Sequence, residues 1–136
     1  MKKVNISDIK VEFGNGNSPK DEVLIKLLVK GYKGEVDCYW ALIDIKAIQP
    51  FSDFRPNISG SFIDSTQQRV DGGDLPSIYV YPKGDKFIMS DDYNLYYLYL
   101  KWDYKKIPCF VLGEPKGKYV SDKTGPITLP PIVTES

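Results

Sequence analysis

The residues best suited to chemistry lie in one short segment, Ser90-Asp91-Asp92-Tyr93-Asn94. It joins two adjacent carboxylates to a hydroxyl, a phenol and an amide, and all of these groups can bind a ligand. Carboxylate oxygens are ligands that Mg²⁺ accepts, so Asp91 and Asp92 could bridge a magnesium ion to the phosphates of a nucleotide. The same pair could instead only cap a helix, with Ser90 or Asp91 as N-cap, because negative charge is favoured at a helix N-terminus.

The residues that follow predict a buried α-helix. From residue 92 to residue 102 no glycine or proline interrupts the chain. Apolar and aromatic side chains recur at helical spacing on two faces. One face carries Tyr93, Tyr96, Tyr97 and Leu100, and the other carries Leu95, Leu98, Tyr99 and Trp102. A helix that is apolar on most sides must be covered by the rest of the domain or by a partner.

Strands are predicted on either side of this helix. Residues 77–81 are β-branched and aromatic, residues 82–85 form a Pro-Lys-Gly-Asp turn, and residues 86–89 are again largely apolar. This pattern indicates a β-hairpin. Residues 107–112 predict a short buried strand, with Pro108 near its start, where proline is tolerated. The ligand site should therefore lie where strand meets helix, at residues 90–94.

The N-terminal third is expected to be β-structure. Residues 4–13 alternate well enough for a strand. The apolar run at residues 21–30 fits both the helical and the strand period, and we favour a long β-hairpin over residues 22–45. The chain should then stay extended as far as Pro50.

Residues 51–75 are less regular and could include a short helix within 58–68. A loop of this length is either a binding segment or a plain connection. Arg55 and Arg69 lie in it, and either guanidinium could bind a phosphate; we place Arg55 among the candidate ligand-binding residues. Residues 119–136 contain several prolines and little periodicity, which indicates an extended arm or tail.

Composition narrows the function classes. Lysine plus arginine equals aspartate plus glutamate at 18 each, so the chain has no overall attraction for nucleic acid or anionic membrane, although a local basic patch stays open. Histidine is absent, which removes the usual neutral-pH base and the commonest zinc ligand. Cys38 and Cys109 are expected to be buried thiols in a reducing compartment. The first residues lack a signal-peptide pattern, so we expect a cytoplasmic protein that is not membrane-bound.

The order of these elements resembles the ParB/sulfiredoxin-like domain family. In that family an apolar strand, a turn and a second strand lead to a DGxHR-type motif that opens an apolar helix, and an (I/V)PV strand follows. The matching segments are residues 41–50, 75–80, 87–89 and 107–111. The resemblance covers residues 41–114 and implies an α+β fold with a small mixed sheet, one or few helices and an N-terminal β-hairpin extension. We expect residues 1–40 to form that extension, residues 41–118 the core and residues 119–136 the arm.

The motif itself differs from the family pattern. Tyr93 stands at the place of the histidine and Asn94 at that of the arginine. In active relatives the motif brings backbone amides and positive charge to a nucleotide phosphate at the helix N-terminus. Asp92 replaces the cysteine that sulfiredoxins carry, which argues against sulfiredoxin chemistry. The resemblance implies that a nucleotide, with Mg²⁺ as a possible cofactor, would bind at residues 90–94.

Three functions remain open, and the sequence identifies no reaction. We favour a diverged, non-catalytic binding module for a nucleotide, a nucleic-acid strand or a protein partner, since the motif has lost its cationic residues and nearby tyrosines could stack on bases. The alternative is a magnesium-dependent phosphotransferase or nuclease that uses Asp91 and Asp92, with Lys86 or Arg55. A third reading makes the apolar helix an interface for self-association or for a partner.

Overall fold

The computed structural model describes residues 2–3, 19–130 and 133–134, and side chains are described for residues 19–130. In this part of the chain, three α-helices accompany a six-stranded mixed sheet and a small two-stranded ribbon. The elements are β1 (Lys2–Lys3), α1 (Glu22–Tyr32), β2 (Cys38–Asp44), a 3₁₀ turn (Ile45–Ala47), β3 (Ile48–Pro50), α2 (Gly60–Asp71), β4 (Ile78–Lys83), β5 (Lys86–Met89), α3 (Tyr93–Lys101), β6 (Lys106–Leu112), β7 (Val120–Ile127) and β8 (Val133–Thr134). The predicted α+β class with a small mixed sheet is confirmed.

The six strands lie in the order β3-β5-β4-β6-β2-β7. β4 and β5 form the predicted antiparallel hairpin, and β4 runs parallel to β6. β6 pairs antiparallel with β2, from Cys38 opposite Leu112 to Asp44 opposite Lys106. The helix between β5 and β6 is thus a connection that returns the chain to the other side of β4. This arrangement places the start of α3 beside the start of β4.

The predicted hairpin over residues 22–45 is wrong, because its first half is the helix α1. Asp21 precedes this helix, and its Oδ1 accepts hydrogen bonds from the backbone N–H groups of Val23 at 3.0 Å and Leu24 at 3.5 Å. Leu24 and Leu28, one helical turn apart, are buried. The cap decides between two periods that the apolar run alone fits equally. The second half of the predicted hairpin is a strand, β2. The strand predicted at residues 4–13 lies outside the described residues.

Asp21 also ties α1 to the sheet. Its Oδ2 accepts a hydrogen bond of 2.6 Å from the hydroxyl of Tyr81 on β4. Asp21 is 1% exposed. Burial is the larger cause, and the bond to Asp21 the second, of the raised pKa of Tyr81, so the phenol keeps its proton and donates it. One buried carboxylate therefore both begins the helix and fixes it to β4.

The segment between β2 and β4 is more regular than expected. The 3₁₀ turn interrupts the extended chain that we expected to run into Pro50. A helix is present where a short one was expected within residues 58–68, but α2 continues to Asp71. Its N-cap is Ser59, whose hydroxyl accepts a hydrogen bond from the N–H of Phe62. Arg69 is consequently a residue of the last turn of α2 and not of a loop. After β6, the predicted C-terminal arm contains β7, which pairs antiparallel with β2 at the edge of the sheet.

Apolar side chains pack on both faces of the sheet. Alternate residues of β2 and β6 point to opposite faces, as strand geometry requires. One face packs against α3 in a cluster that includes Ile43, Val80, Tyr93, Tyr99 and Val111. The other packs against α1 in a smaller cluster that includes Leu24, Leu28, Tyr81 and Leu112. Cys38 and Cys109 are buried free thiols, as predicted.

Tyr81→Phe should lower the free energy of unfolding by about 1.5–3 kcal/mol, since a buried carboxylate loses a hydrogen bond. Urea unfolding of both proteins measures this difference. Tyr97→Phe is a matched control, because the ring under Arg55 is kept, and it should change stability by less than about 0.5 kcal/mol. Equal losses in the two variants would contradict the role given to the Asp21–Tyr81 bond.

Candidate functional site

A pocket of about 430 Å³ opens between α2 and the start of α3. Pro76 and Ser77, which precede β4, and Phe110 of β6 also border it. The lining residues are Phe62, Thr66, Arg69, Pro76, Ser77, Asp91, Asp92, Tyr93, Asn94, Leu95 and Phe110. The predicted site at residues 90–94 therefore contributes Asp91, Asp92, Tyr93 and Asn94 to one concave surface. A concave site that mixes aromatic side chains with a few polar groups is typical of small-molecule binding.

The N-cap of α3 is Asp92 and not the predicted Ser90 or Asp91. Its carboxylate makes no hydrogen bond to the first turn of the helix. Instead, Oδ2 of Asp92 accepts the backbone N–H of Tyr79 on β4 at 2.8 Å. The pairing of β5 with β4 covers Tyr81 to Lys83 and does not extend to Tyr79. Asp92 thus satisfies a strand donor that β5 does not reach.

The pKa of Asp92 is raised to about 7. Burial is the largest cause, the neighbouring Asp91 adds to the rise, and the N–H of Tyr79 opposes it. By surface area Asp92 is partly exposed, because the residue borders the pocket. A carboxyl group with this pKa exchanges its proton near neutral pH, where an ordinary aspartate is fully ionised. It can therefore accept or donate a hydrogen bond in the pocket.

Two polar atoms near Asp92 are buried without a hydrogen-bond partner among the described residues. They are Oγ of Ser90, which is fully buried, and Oδ1 of Asn94 on the pocket wall. Buried polar atoms in proteins are nearly always satisfied, so each such atom needs an explanation. Oδ1 of Asn94 can therefore accept a hydrogen bond from a molecule in the pocket, whether water or a ligand. Ser90 is not part of the pocket lining.

On the α2 side of the pocket, the sequence points only to Arg69, as a possible phosphate-binding residue. Phe62, Thr66 and Arg69 are three or four residues apart, so they lie on one face of the helix. Arg69 contacts Oδ2 of Asp74 through Nε at 2.9 Å and through a terminal nitrogen at 2.8 Å. Both side chains are largely exposed, so this ion pair is weak and open to exchange with a ligand. The i, i+4, i+7 spacing of these residues was the available signal.

Arg55, predicted as a ligand-binding residue, does not line the pocket. Its guanidinium lies over the ring of Tyr97, 4.5 Å from the ring centre. The segment that carries it crosses α3, where Phe54 meets the ring of Tyr93 edge to face and Ser52 bonds the hydroxyl of Tyr93 at 2.8 Å. Tyr93 is 1% exposed and is held as part of the core. The arginine at the pocket is Arg69.

Asp91 and Asp92 could hold a magnesium ion only if a phosphate group of a bound ligand supplied further oxygen ligands. Within the described side chains, no group of three or more His, Cys, Asp or Glu is placed to hold a metal ion. Asp91 and Asp92 both border the pocket, but one oxygen of Asp92 already accepts from Tyr79. Magnesium is commonly held by one or two carboxylates together with substrate phosphates. Asp91 and Asp92 would be the protein ligands of such an ion.

No protein-family model and no curated protein matches the chain. Among solved structures it is similar to the C-terminally truncated chromosome-partitioning protein ParB from Caulobacter crescentus, crystallised in complex with CTP-gamma-S. The match has 15% sequence identity and a TM-score of 0.42, and it covers 56% of this chain and 45% of the other. The chain thus spans less than half the length of that structure.

None of the helices in the described part of the chain is long and apolar enough to cross a membrane.

Asp92→Asn should change how stability depends on pH. An aspartate has a pKa near 4 in the unfolded chain, whereas the folded value is about 7. The folded state therefore binds the proton more tightly, so the stability that Asp92 contributes is complete below pH ~4 and is lost as the pH rises to ~7. Relative to Asp92→Asn, the wild type should lose about 1–3 kcal/mol of unfolding free energy between pH 4 and pH 8.

Urea unfolding at several pH values measures this difference. Asp85→Asn, in the exposed turn between β4 and β5, is the control and should keep the wild-type pH profile. A stability difference between wild type and Asp92→Asn that stays constant across this range would contradict the raised pKa.

Proposed function

We propose that the protein is a binding module whose pocket between α2 and α3 takes a nucleotide without catalysing its conversion. The observation that carries the proposal is the start of α3, where the N-cap residue makes no side-chain hydrogen bond to the first turn of the helix. The carboxylate of Asp92 is bonded to Tyr79 on β4 instead. The N–H groups of a first helical turn have no partner within the helix. Tyr93, Asn94 and Leu95, which form that turn, border the pocket.

The free end of a helix favours an anion. Its N–H groups point along the axis, and the helix dipole adds partial positive charge. Arg69 lines the same pocket from α2 and would supply a full positive charge once it exchanged Asp74 for a phosphate. The phosphate of the proposed ligand would lie between these two groups. This is the position at which the resemblance to ParB/sulfiredoxin-like domains implies a phosphate site.

The remaining lining suits the nucleoside part. The volume of about 430 Å³ lies in the range of small-molecule sites. Phe62 and Phe110 offer ring surface to a base, and the amide of Asn94 offers a hydrogen bond to its edge. We place this site in the core of the domain, residues 41–118. We propose that the protein is cytoplasmic.

The two carboxylates give the proposed binding a characteristic pH dependence. Charged Asp91 and Asp92 repel a phosphate, each by about 1 kcal/mol where solvent screens the interaction. Protonation of Asp92 below its pKa of about 7 removes one of these charges. Affinity for a nucleotide should therefore rise as the pH falls from 8 to 6, in the absence of magnesium.

Calorimetric titration with nucleoside di- and triphosphates tests the proposal. Arg69→Ala should weaken binding about tenfold or more, since a charge-assisted contact is lost. Arg55→Ala is the matched control, because Arg55 covers Tyr97 away from the pocket, and it should leave affinity unchanged. Asp92→Asn should bind more tightly at pH 8 and lose the pH dependence. Absence of binding by any nucleotide, or equal losses in the two arginine variants, would overturn the proposal.

The alternative is a magnesium-dependent phosphotransferase or nuclease at the same site. It is favoured by one observation, the position of both carboxylates on the pocket wall. Magnesium held by Asp91, Asp92 and the substrate phosphates would neutralise charge on the reacting phosphate. Product formation from nucleotides or oligonucleotides should then require Mg²⁺ and fall at least about 100-fold in Asp91→Asn/Asp92→Asn. Turnover that survives in the double variant would exclude this alternative.

A further inference from the structure

A second surface, separate from the pocket, is formed where the ends of three strands meet. The backbone N–H of Asp44, at the end of β2, donates to the carbonyl oxygen of Tyr119, just before β7. Lys106, at the start of β6, lies directly opposite Asp44 in the sheet. The next residue, Ile45, donates its N–H to the carbonyl oxygen of Lys105 at 3.0 Å. Residues far apart in the sequence are thus brought to one place.

Several lysines lie around this meeting point. The ammonium groups of Lys46 and Lys118 each lie 5.2 Å from the centre of the Tyr119 ring. The ammonium of Lys86 lies 3.5 Å from the carbonyl oxygen of Lys46. We call Lys46, Lys86, Lys105, Lys106 and Lys118, together with Tyr119, the lysine cluster. All of its lysines except the partly buried Lys86 are exposed.

Acidic side chains offset only part of this charge. Asp44 forms an ion pair of 3.6 Å with Lys46, and its Oδ1 accepts the N–H of Lys46. Asp85 immediately precedes Lys86, and Asp103 lies two residues before Lys105. Both aspartates are exposed. The lysines of the cluster outnumber these acids, although the whole chain carries no net charge. The sequence conceals this excess because Lys105-Lys106 is the only adjacent pair in the cluster.

We infer that the lysine cluster binds the phosphodiester backbone of a single-stranded nucleic acid. Ammonium groups spread over one surface attract successive phosphates and release their counterions. Tyr119 adds a partly exposed aromatic ring beside the lysines, and aromatic rings among basic residues are typical of single-strand binding. The cluster is built from strand ends and turns, so it presents no helix to the major groove of a duplex.

The surface does not have the chemistry of a membrane anchor. Such surfaces combine basic residues with exposed apolar side chains that enter the bilayer. The large apolar side chains that are exposed in the described part of the chain are Val23, Phe51 and Leu100. None of them belongs to the lysine cluster. Attraction to anionic lipid would therefore rest on charge alone.

Fluorescence anisotropy with a labelled oligothymidylate of about 16 nucleotides, over a series of salt concentrations, tests this inference. The plot of log affinity against log salt should be linear with a negative slope. Lys46→Gln/Lys105→Gln/Lys106→Gln/Lys118→Gln should weaken binding at least about tenfold at low salt, with a slope smaller by about 1 for each lysine that contacts a phosphate. Urea unfolding verifies that this variant is folded.

The matched control removes the same number of exposed lysines around α1. Lys20→Gln/Lys26→Gln/Lys30→Gln/Lys33→Gln should keep the wild-type affinity and slope. Arg69→Ala should also keep them, so failure of the nucleotide proposal is distinguishable from failure of this one. Equal losses in the two lysine variants, no binding at low salt, or binding to phosphatidylserine vesicles without binding to the oligonucleotide would each overturn the inference.

Discussion

The hydrogen bond from the N–H of Tyr79 to Oδ2 of Asp92 decides the character of the candidate site. It joins Asp92, the residue before α3, to Tyr79 near the start of β4, and so fixes the start of the helix on the sheet. It also turns the carboxylate away from the helix, so the N-cap residue makes no side-chain hydrogen bond to the first turn of α3. A helix start that borders a pocket favours an anion. The proposed nucleotide site depends on this one bond.

The same bond places a carboxyl group where its charge is unfavourable. Burial and Asp91 raise the pKa of Asp92 to about 7, although the N–H of Tyr79 stabilises the charged form. A group with a strongly shifted pKa in a concave site is often a functional group, since a stable fold alone does not require it. Here the proton on Asp92 would control how much negative charge a phosphate meets.

The lysine cluster differs in kind, because it consists mainly of exposed charges that solvent and salt screen.

The sequence predicts the central part of the molecule well. The apolar pattern and turn residues of the β4–β5 hairpin, and the uninterrupted run of α3, are local signals that the fold keeps. The α1 region is predicted as a strand because its apolar run fits two periods; the N-cap Asp21 is a local signal for the helix, whereas its bond to Tyr81 joins residues far apart in the chain. The sequence predicts a site at residues 90–94 with Arg55, whereas the arginine that lines the pocket is Arg69. Helical spacing places Phe62, Thr66 and Arg69 on one face of α2, but that this face borders the pocket depends on how α2 packs.

Amide chemical-shift mapping of the full chain with a nucleoside triphosphate, at pH 6 and pH 8, would show whether the start of α3 binds a phosphate under the control of Asp92. We expect saturable shifts at Tyr79, the first turn of α3 and Arg69, larger at pH 6 than at pH 8, with little change at Tyr119. Shifts confined to the lysine cluster, or shifts at the pocket that do not depend on pH, would show that it does not.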